Sequence, residues 1–294
     1  MTLKDLIKDR SYKFALVIGN GVNRYNSIDT NNSWDSMLLS LWGKHVSSSS
    51  MTIPQGISLT EFYDALDLNS KSEAKDLQKE FCNLMADWQP GLHHQAITDW
   101  ARKKRTPILT TNFEDTLPAT QSLSTKHADS KKFTDFYPWG TYYSENEVHN
   151  PSTEFAIWFI NGMQKYKRSI RLGLSHYMGS VERARGMFHK GSETRLFSGK
   201  NVNEWRGYQT WLHVIFNNDL IFMGLELNTT EVFLRWLLIE RAKYFRKFPE
   251  RSKSAFFVYS GDDVSKGQRL FLESVGFKLV KETTYDDIYQ TPWV

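Results

Sequence analysis

The feature that most constrains this chain is a five-residue apolar run, Phe14-Ala15-Leu16-Val17-Ile18, that stops abruptly at Gly19-Asn20-Gly21. A run this short, bounded by turn residues, reads as a buried strand. Gly19 and Gly21 lack Cβ, so the backbone there can take φ > 0 and approach a ligand closely. The amides that follow can face an anion, helped by a helix N-terminus. The third glycine of the full dinucleotide fingerprint is absent, and a tight strand-to-helix turn explains the same residues. A second apolar strand, Pro107-Ile108-Leu109, hands over to Thr110-Thr111-Asn112-Phe113-Glu114 about ninety residues on. That repetition favours the ligand-facing reading.

The same pattern recurs along the chain. Ala156 to Ile160 reads as a strand ending at Asn161-Gly162, and Ser169 to Leu174 as a fourth strand. Leu220 to Met223 ends at Gly224-Leu225-Glu226, Ala255 to Tyr259 follows, and a last strand lies near 277–280. Helical spacing fills the intervals: a short charged stretch over 1–10, then 33–42 with Ser33 as N-cap, 59–87, 92–102, a segment carrying Val181, Ala184 and Met187, Glu231 to Phe248, and 270–274. Ser47 to Ser50 read as a polar surface loop. No internal repeat is present. Short apolar strands alternating with helices predict an α/β fold with a mainly parallel sheet covered on both faces. The chain reads as one domain over 1–294, with a helical insertion at about 45–105 and a loop-rich excursion at about 118–153. In such sheets ligands bind beyond the carboxyl ends of the strands, where strand order switches. The loops at 19–21, 111–113, 161–162 and 224–226 share that position and are expected to form one site.

Composition narrows the classes. With 40% hydrophobic and 24% charged residues the chain can bury a core. The single cysteine, Cys82, rules out an internal disulfide and reads as a buried thiol. No secretory signal or apolar run of spanning length is read, so a cytoplasmic protein without membrane contact is expected. A net charge of +4 is too slight to imply nucleic acid, and the basic runs at 102–105 and 241–247 read as solvated faces; direct nucleic-acid binding is not expected. No Cys, His and acid spacing points to a metal. Adjacent helical residues such as His93 and His94 diverge by about 100°.

Taken in order, Leu16 to Asn23, Thr110-Thr111-Asn112-Phe113-Glu114, Ile160-Asn161-Gly162, Ser169 to Leu174 and Phe222 to Leu227 resemble the SIR2-like family over roughly residues 11–285. The Thr-Thr-Asn-Phe-acid motif is the most specific of these. The resemblance implies a Rossmann-like NAD-binding domain with a helical insertion. It implies activity as an NAD-dependent protein deacylase or as an NAD glycohydrolase, the latter in bacterial antiphage defence. It also implies a homo-oligomer or a defence-system partner protein. The chain departs from the deacetylase branch, because one cysteine cannot form that branch's four-thiolate zinc site; the expectation is the NAD hydrolase. It departs again where the family usually carries a His before the glycine of the third loop: here that residue is Asn161.

On this resemblance NAD or ADP-ribose is the expected ligand and no metal is expected. Gly19, Asn20 and Gly21 would supply amides to phosphate, and Asn23 would bond ribose or phosphate. Thr111 and Asn112 would lie near the nicotinamide ribose, with Asn112 orienting an attacking water, and Glu114 or Asp115 assisting electrostatically. Asp115 is also a candidate helix N-cap. Gly224 and Glu226 would meet the adenosine side. Asn161 can bond a ribose hydroxyl but cannot take a proton near neutral pH. Three readings stay open: another group acts as base, with His176 best placed by sequence and His189 and His213 behind it; cleavage needs little base assistance; or the chain binds NAD or ADP-ribose without turnover, as an assembly subunit. Asn228 to Glu231 reads as a capping segment, with Asn228 at the N-cap and Glu231 three residues later. The stripe Val232, Leu234, Trp236, Leu237 and Ile239 reads as core or subunit interface.

Overall fold

A computed structural model describes residues 1–27, 32–47, 52–71, 73–200, 203–261 and 264–294; Ser48 to Ser50 of the expected polar loop lie outside them. Among the described residues the strands are β1 (Phe14–Ile18), β2 (Ile108–Thr110), β3 (Ser124–His127), β4 (Thr141–Ser144), β5 (Ile157–Phe159), β6 (Asp219–Met223), β7 (Ala255–Ser260) and β8 (Phe277–Glu282). The helices are α1 (Leu3–Leu6), α2 (Gly21–Arg24), α3 (Trp34–His45), α4 (Leu59–Asn69), α5 (Ala74–Leu84), α6 (Leu92–Lys103), α7 (Thr116–Ala119), α8 (Leu174–His189), α9 (Trp211–Asn217), α10 (Val232–Lys247), α11 (Lys266–Ser274) and α12 (Asp286–Tyr289).

The strands form one sheet in the order β3-β4-β5-β2-β1-β6-β7-β8. Pairing is parallel from β5 through to β8. The parallel part runs outward from β1 in both directions, through β2 and β5 on one side and β6, β7 and β8 on the other. This is the doubly wound, Rossmann-like order, with its switch beside β1. The apolar run of β1 is continuous because both of its faces are covered. Ala15 and Val17 enter a core shared with Trp158, Phe222 and the inner faces of α8, α9 and α10. Phe14, Leu16 and Ile18 enter the opposite core with Leu3, Ile97, Ile288 and Trp293. Alternation with period two therefore feeds two hydrophobic layers.

A third core joins α3, α4 and α5 through Leu38, Phe62, Leu66 and Phe81, and closes on Phe113, Ile170 and Leu172 from the sheet's loops. Cys82 is buried there, and burial pushes its thiol up to about 12. Ser33 and Ser58 accept hydrogen bonds from Ser36 and Glu61 amides, starting α3 and α4. The expected insertion over 45–105 is thereby corrected: the module begins at α3. Helix α6 belongs instead to the sheet, because its Ile97 and Ala101 pack into the second core.

Two further expectations change. The 118–153 excursion is not loop alone: β3 and β4 pair antiparallel with each other, and β4 pairs antiparallel with β5. Residues 169–174 are not a strand. Ile170 and Leu172 are buried because they seal the helical module, with Gln78 Nε2 donating to the Ile170 carbonyl at 2.8 Å. Apolarity came from that packing and not from sheet pairing. Among the described residues no helix is long and apolar enough to cross a membrane.

At the rim opposite the expected site, Arg241 of α10 holds the sheet's lower end. Its Nε donates to the Ile215 carbonyl at 2.8 Å, and its Nη2 reaches the carbonyls of Asn218, Lys253 and Ser254 at 3.1–3.2 Å. Burial lowers its pKa to about 9, which leaves it charged at neutral pH. Arg241→Met removes the donors and strands buried carbonyls, so urea unfolding is expected to show a loss of about 3 kcal/mol or more.

Candidate functional site

The carboxyl ends of β1 and β6 meet through their backbones. Gly19 N–H donates to the Met223 carbonyl at 3.0 Å and Gly21 N–H to the Gly224 carbonyl at 2.8 Å. A Cβ on Gly19 would lie 1.8 Å from Leu225 Cδ2 and 2.5 Å from the Gly224 oxygen. On Gly21 it would lie 2.5 Å from Tyr289 Oη and 2.7 Å from Gly224 Cα. Neither Gly19 nor Gly21 takes a positive φ; Gly224 does, at 71°. The glycines are thus explained by loop-on-loop approach. The expected phosphate cradle is corrected at these two amides, since both are spent on β6 and its loop. Helix α2, four residues long, is too short to supply a sizeable dipole.

Asn23 is the knot between the first and second loops. Its Nδ2 donates to Asn20 Oδ1 and to Glu114 Oε1, both at 2.9 Å. Its Oδ1 lies 3.0 Å from His94 Nε2 and accepts from the Thr116 hydroxyl at 3.2 Å. His94 Nδ1 accepts from the Gly91 amide at 3.0 Å, so Nε2 carries the proton and donates. Burial, with the His93 charge beside it, lowers His94 to about 3 and keeps it neutral. His93 in turn sits 2.8 Å from the Val22 carbonyl. The expected contact of Asn23 with ribose or phosphate is therefore corrected: its amide is fully engaged inside the protein. Asn20 is also anchored, with Nδ2 donating to the Asn32 carbonyl at 2.7 Å.

Above this knot a cavity of about 920 Å³ opens over the switch. It gathers Asn20, Gly21, Thr111, Asn112, Asn161, Gly224 and Glu226, the expected residues of all four loops. Two of them place unpaired groups in its wall. Asn112, 5% exposed, is held by its backbone N–H on Thr110 Oγ1 at 3.1 Å, while its side-chain Nδ2 has no partner. Asn161, 3% exposed, points Nδ2 toward the Thr111 carbonyl at 3.5 Å and leaves Oδ1 without a partner. Gly162 behind it takes φ 107°, because a Cβ would collide with the Ser169 carbonyl. Buried polar atoms are almost always bonded, and Asn112 Nδ2 and Asn161 Oδ1 are among the buried side-chain atoms of the described residues that have no hydrogen-bond partner.

Two further lining residues carry an unpaired buried atom, Trp34 at Nε1 and Glu231 at Oε2, the latter sealed from solvent although Glu231 as a whole is partly exposed. Burial pushes this carboxyl up to about 7, against the neighbouring Asn161 amide and with Glu226 adding repulsion. The expected capping box does not form. Asn228 Oδ1 instead accepts from the Thr230 amide at 2.9 Å, and α10 begins at Val232 with Glu231 at its N-cap making no side-chain cap bond. Glu231 was hidden by that resemblance to a cap. The signal available was an acid just before a long apolar helix that follows a strand-terminal glycine loop. Arg24 also lines the cavity, the one cation among its described lining residues, against the carboxylates of Asp35, Glu114, Glu226, Glu231 and Asp286.

The remaining expected acids and bases lie elsewhere. Glu114 is buried, which raises its pKa, and its Oε1 accepts from Asn23 and Thr116. Asp115 occupies the N-cap position of α7 without capping it; its Oδ2 accepts from Tyr143 Oη at 2.8 Å. His176 is not among the cavity's lining residues. Its Nδ1 faces the Leu172 and Gly173 amides at 3.3 Å, capping α8, and burial lowers it to about 4. His213 accepts from Trp205 Nε1 at 3.2 Å, and His189 pairs with Glu240 at 2.6 Å. None of the three histidines reaches the cavity wall. Among the described residues no three His, Cys, Asp or Glu side chains are grouped to hold a metal ion.

Neither protein-family models nor curated proteins give a match to this chain.

The knot makes a stability prediction. Asn23→Ala leaves the buried Glu114 carboxyl and His94 Nε2–H each short of a partner, so chemical denaturation is expected to show a loss of about 2–3 kcal/mol. Asn112→Ala removes an amide whose nitrogen has no hydrogen-bond partner and whose side chain acts on Glu114 only as the least of the influences that lower its carboxyl, and it is expected to melt within a few degrees of the parent.

Proposed function

We propose that the cavity binds NAD and hydrolyses its nicotinamide–ribose bond. The observation that carries this reading is the meeting, at the switch of a doubly wound sheet, of an unpaired buried donor on Asn112 and an unpaired buried acceptor on Asn161. A dinucleotide fits the site in size, since about 300–1,000 Å³ is the usual range for small-molecule pockets and this one is at its upper end. It fits in chemistry too. Nicotinamide departure builds positive charge on the ribose, and a carboxylate-rich wall favours that charge. Asn112 Nδ2 can hold a water or ribose oxygen, and Asn161 Oδ1 can accept from a ribose hydroxyl. Tyr25, Tyr285 and Tyr289 line one part of the wall and offer flat surface to a base. The diphosphate would be met by Arg24, since the Gly19 and Gly21 amides are committed.

One observation favours a second reading, a subunit that binds NAD or ADP-ribose without turning it over: residue 161 carries an amide, which cannot act as a base. The broader expectation, a defence effector working as an oligomer or with a partner, rests on the SIR2-like resemblance of the loops.

Incubating the purified chain with NAD and separating the products by chromatography tests the reading. Nicotinamide and ADP-ribose are expected in equal amounts. Asn112→Ala is expected to lower kcat by about 10²–10³-fold, as loss of one oriented polar group does elsewhere, with an unchanged melting temperature. Calorimetric binding of NAD without any product would select the second reading. Absence of both binding and product would overturn both.

A further inference from the structure

We propose that Glu231 is the general base of this site, its carboxylate taking the proton of the water that attacks the ribose while Asn161 holds that carboxylate and the substrate's hydroxyl. The proposal rests on the NAD-cleaving reading of the cavity and supplies the group that reading lacks.

Position makes the first argument. Glu231 ends the loop that leaves β6 and begins α10, so it stands on a rigid 16-residue helix and lines the cavity beside Asn161. An N-cap acid ordinarily turns back to bond the first amides of its helix. This one does not, and its Oε2 is left sealed from solvent and unpaired. Burying a carboxylate oxygen without a hydrogen bond is costly, and the Asn161 amide is the side chain that favours the charged form of this carboxyl. Elimination makes the second. Of the other carboxyls expected here, Glu114 is bonded by Asn23 and Thr116, Asp115 by Tyr143 away from the cavity wall, and Glu226 by Asn228 Nδ2 at 3.0 Å. His176, His189 and His213 are all committed elsewhere.

The electrostatics agree. Burial is the main cause that raises Glu231 toward neutrality. Glu226 in the preceding loop adds to the rise, and the Asn161 amide opposes it. Burial pushes the ionisation of the Tyr177 phenol, on α8, well up, and the Glu231 carboxyl adds to that rise while Arg171 opposes it. Glu114 from the β2 loop, Arg24 after the β1 loop, Asp35 of α3 and Asp286 of α12 are the other charged groups on the wall. A base that titrates near the working pH is both available and strong enough to accept a proton.

The step balances without a further reactant. The C1′–N bond breaks and its electron pair returns to the pyridinium nitrogen, giving neutral nicotinamide. The water oxygen bonds C1′, one water proton passes to Glu231 and then to solvent, and ADP-ribose is released.

The test uses the full chain with NAD and the variants Glu231→Gln and Asn161→His combined with Glu231→Gln. Glu231→Gln is expected to lower kcat by about 10²–10⁴-fold, to keep KM and the calorimetric Kd for NAD within about threefold, and to lose a rising limb in kcat near pH 7. Placing His at 161 in the Glu231→Gln background is expected to restore part of the turnover. A readout independent of turnover is thermal melting. A carboxyl raised in the native state binds its proton more tightly there than when unfolded, so stability falls as pH rises from about 4.5 toward 7 and stays lowered above. Glu231→Gln is therefore expected to melt higher than the parent at pH 8, with the gap closing by pH 5.

Unchanged kcat and pH profile in Glu231→Gln, in a parent that cleaves NAD, overturn this proposal alone. Loss of NAD binding in that variant overturns it too, by making Glu231 a binding residue. A parent that binds NAD without cleaving it overturns the base and leaves the binding site standing. A parent that does neither overturns both readings.

Discussion

The amide of Asn23 is the contact on which this site depends. It ties Asn20, Glu114, Thr116 and His94 into one network, and so fixes the first loop to the second and both to α6. Other ties remain on each loop, the Gly21 amide to Gly224 and Asn20 to Asn32 on the first and the Phe113 carbonyl to the Gln164 amide on the second, but the Asn23 side chain joins one loop to the other. The strand ends themselves are stitched by backbone bonds, among them Thr111 N–H to the Ile18 carbonyl and Ile160 N–H to the Thr110 carbonyl. Those bonds set the height of each loop above the sheet. The Asn23 network sets their lateral spacing, and thereby the width of the cavity.

A scaffold this rigid can carry strain-free polar groups that are unsatisfied. Asn112 Nδ2, Asn161 Oδ1 and Glu231 Oε2 come from three separate segments of the chain, each fixed by its own backbone. Collapse to pair them with one another would require a strand end or the start of α10 to move. Preorganised polar groups of this kind lower a barrier because they need no rearrangement when charge develops. Stability is supplied elsewhere, in the two layers against the sheet and in the brace that Arg241 forms at the far rim.

The mainly parallel sheet was readable because β1, β2, β5, β6 and β7 are short apolar runs closely followed by Gly or Asn, a pattern produced directly by burial on both faces; the order of its strands was not. What failed to read out had one cause: a side chain's partner is decided by distant chain. Residues 169–174 look like a strand because they are apolar, but they are apolar to cover α5 and its neighbours. Asn23 looks like a ligand contact because it follows a glycine turn, yet α6 arrives to occupy it. His176 looked well placed only while 169–174 was taken as a strand; as the third residue of α8 it caps its own helix. Glu231 reads as part of a cap because it lies three positions after Asn228, and only the observed start of α10 at Val232 releases it. Gly19 and Gly21 read as places where a ligand comes close at positive φ, but neither takes a positive φ and the group that comes close is the Gly224 loop.

The two margins of the sheet have a bearing on assembly. β3 is four residues long and polar, Ser124 to His127, and β8 alternates buried Phe277 and Val280 with exposed Lys278. A brief polar border on one flank and a charged one on the other discourage strand-to-strand growth between molecules. The sheet therefore ends at both margins within one molecule, and its cavity-bearing rim is built from one chain's loops alone.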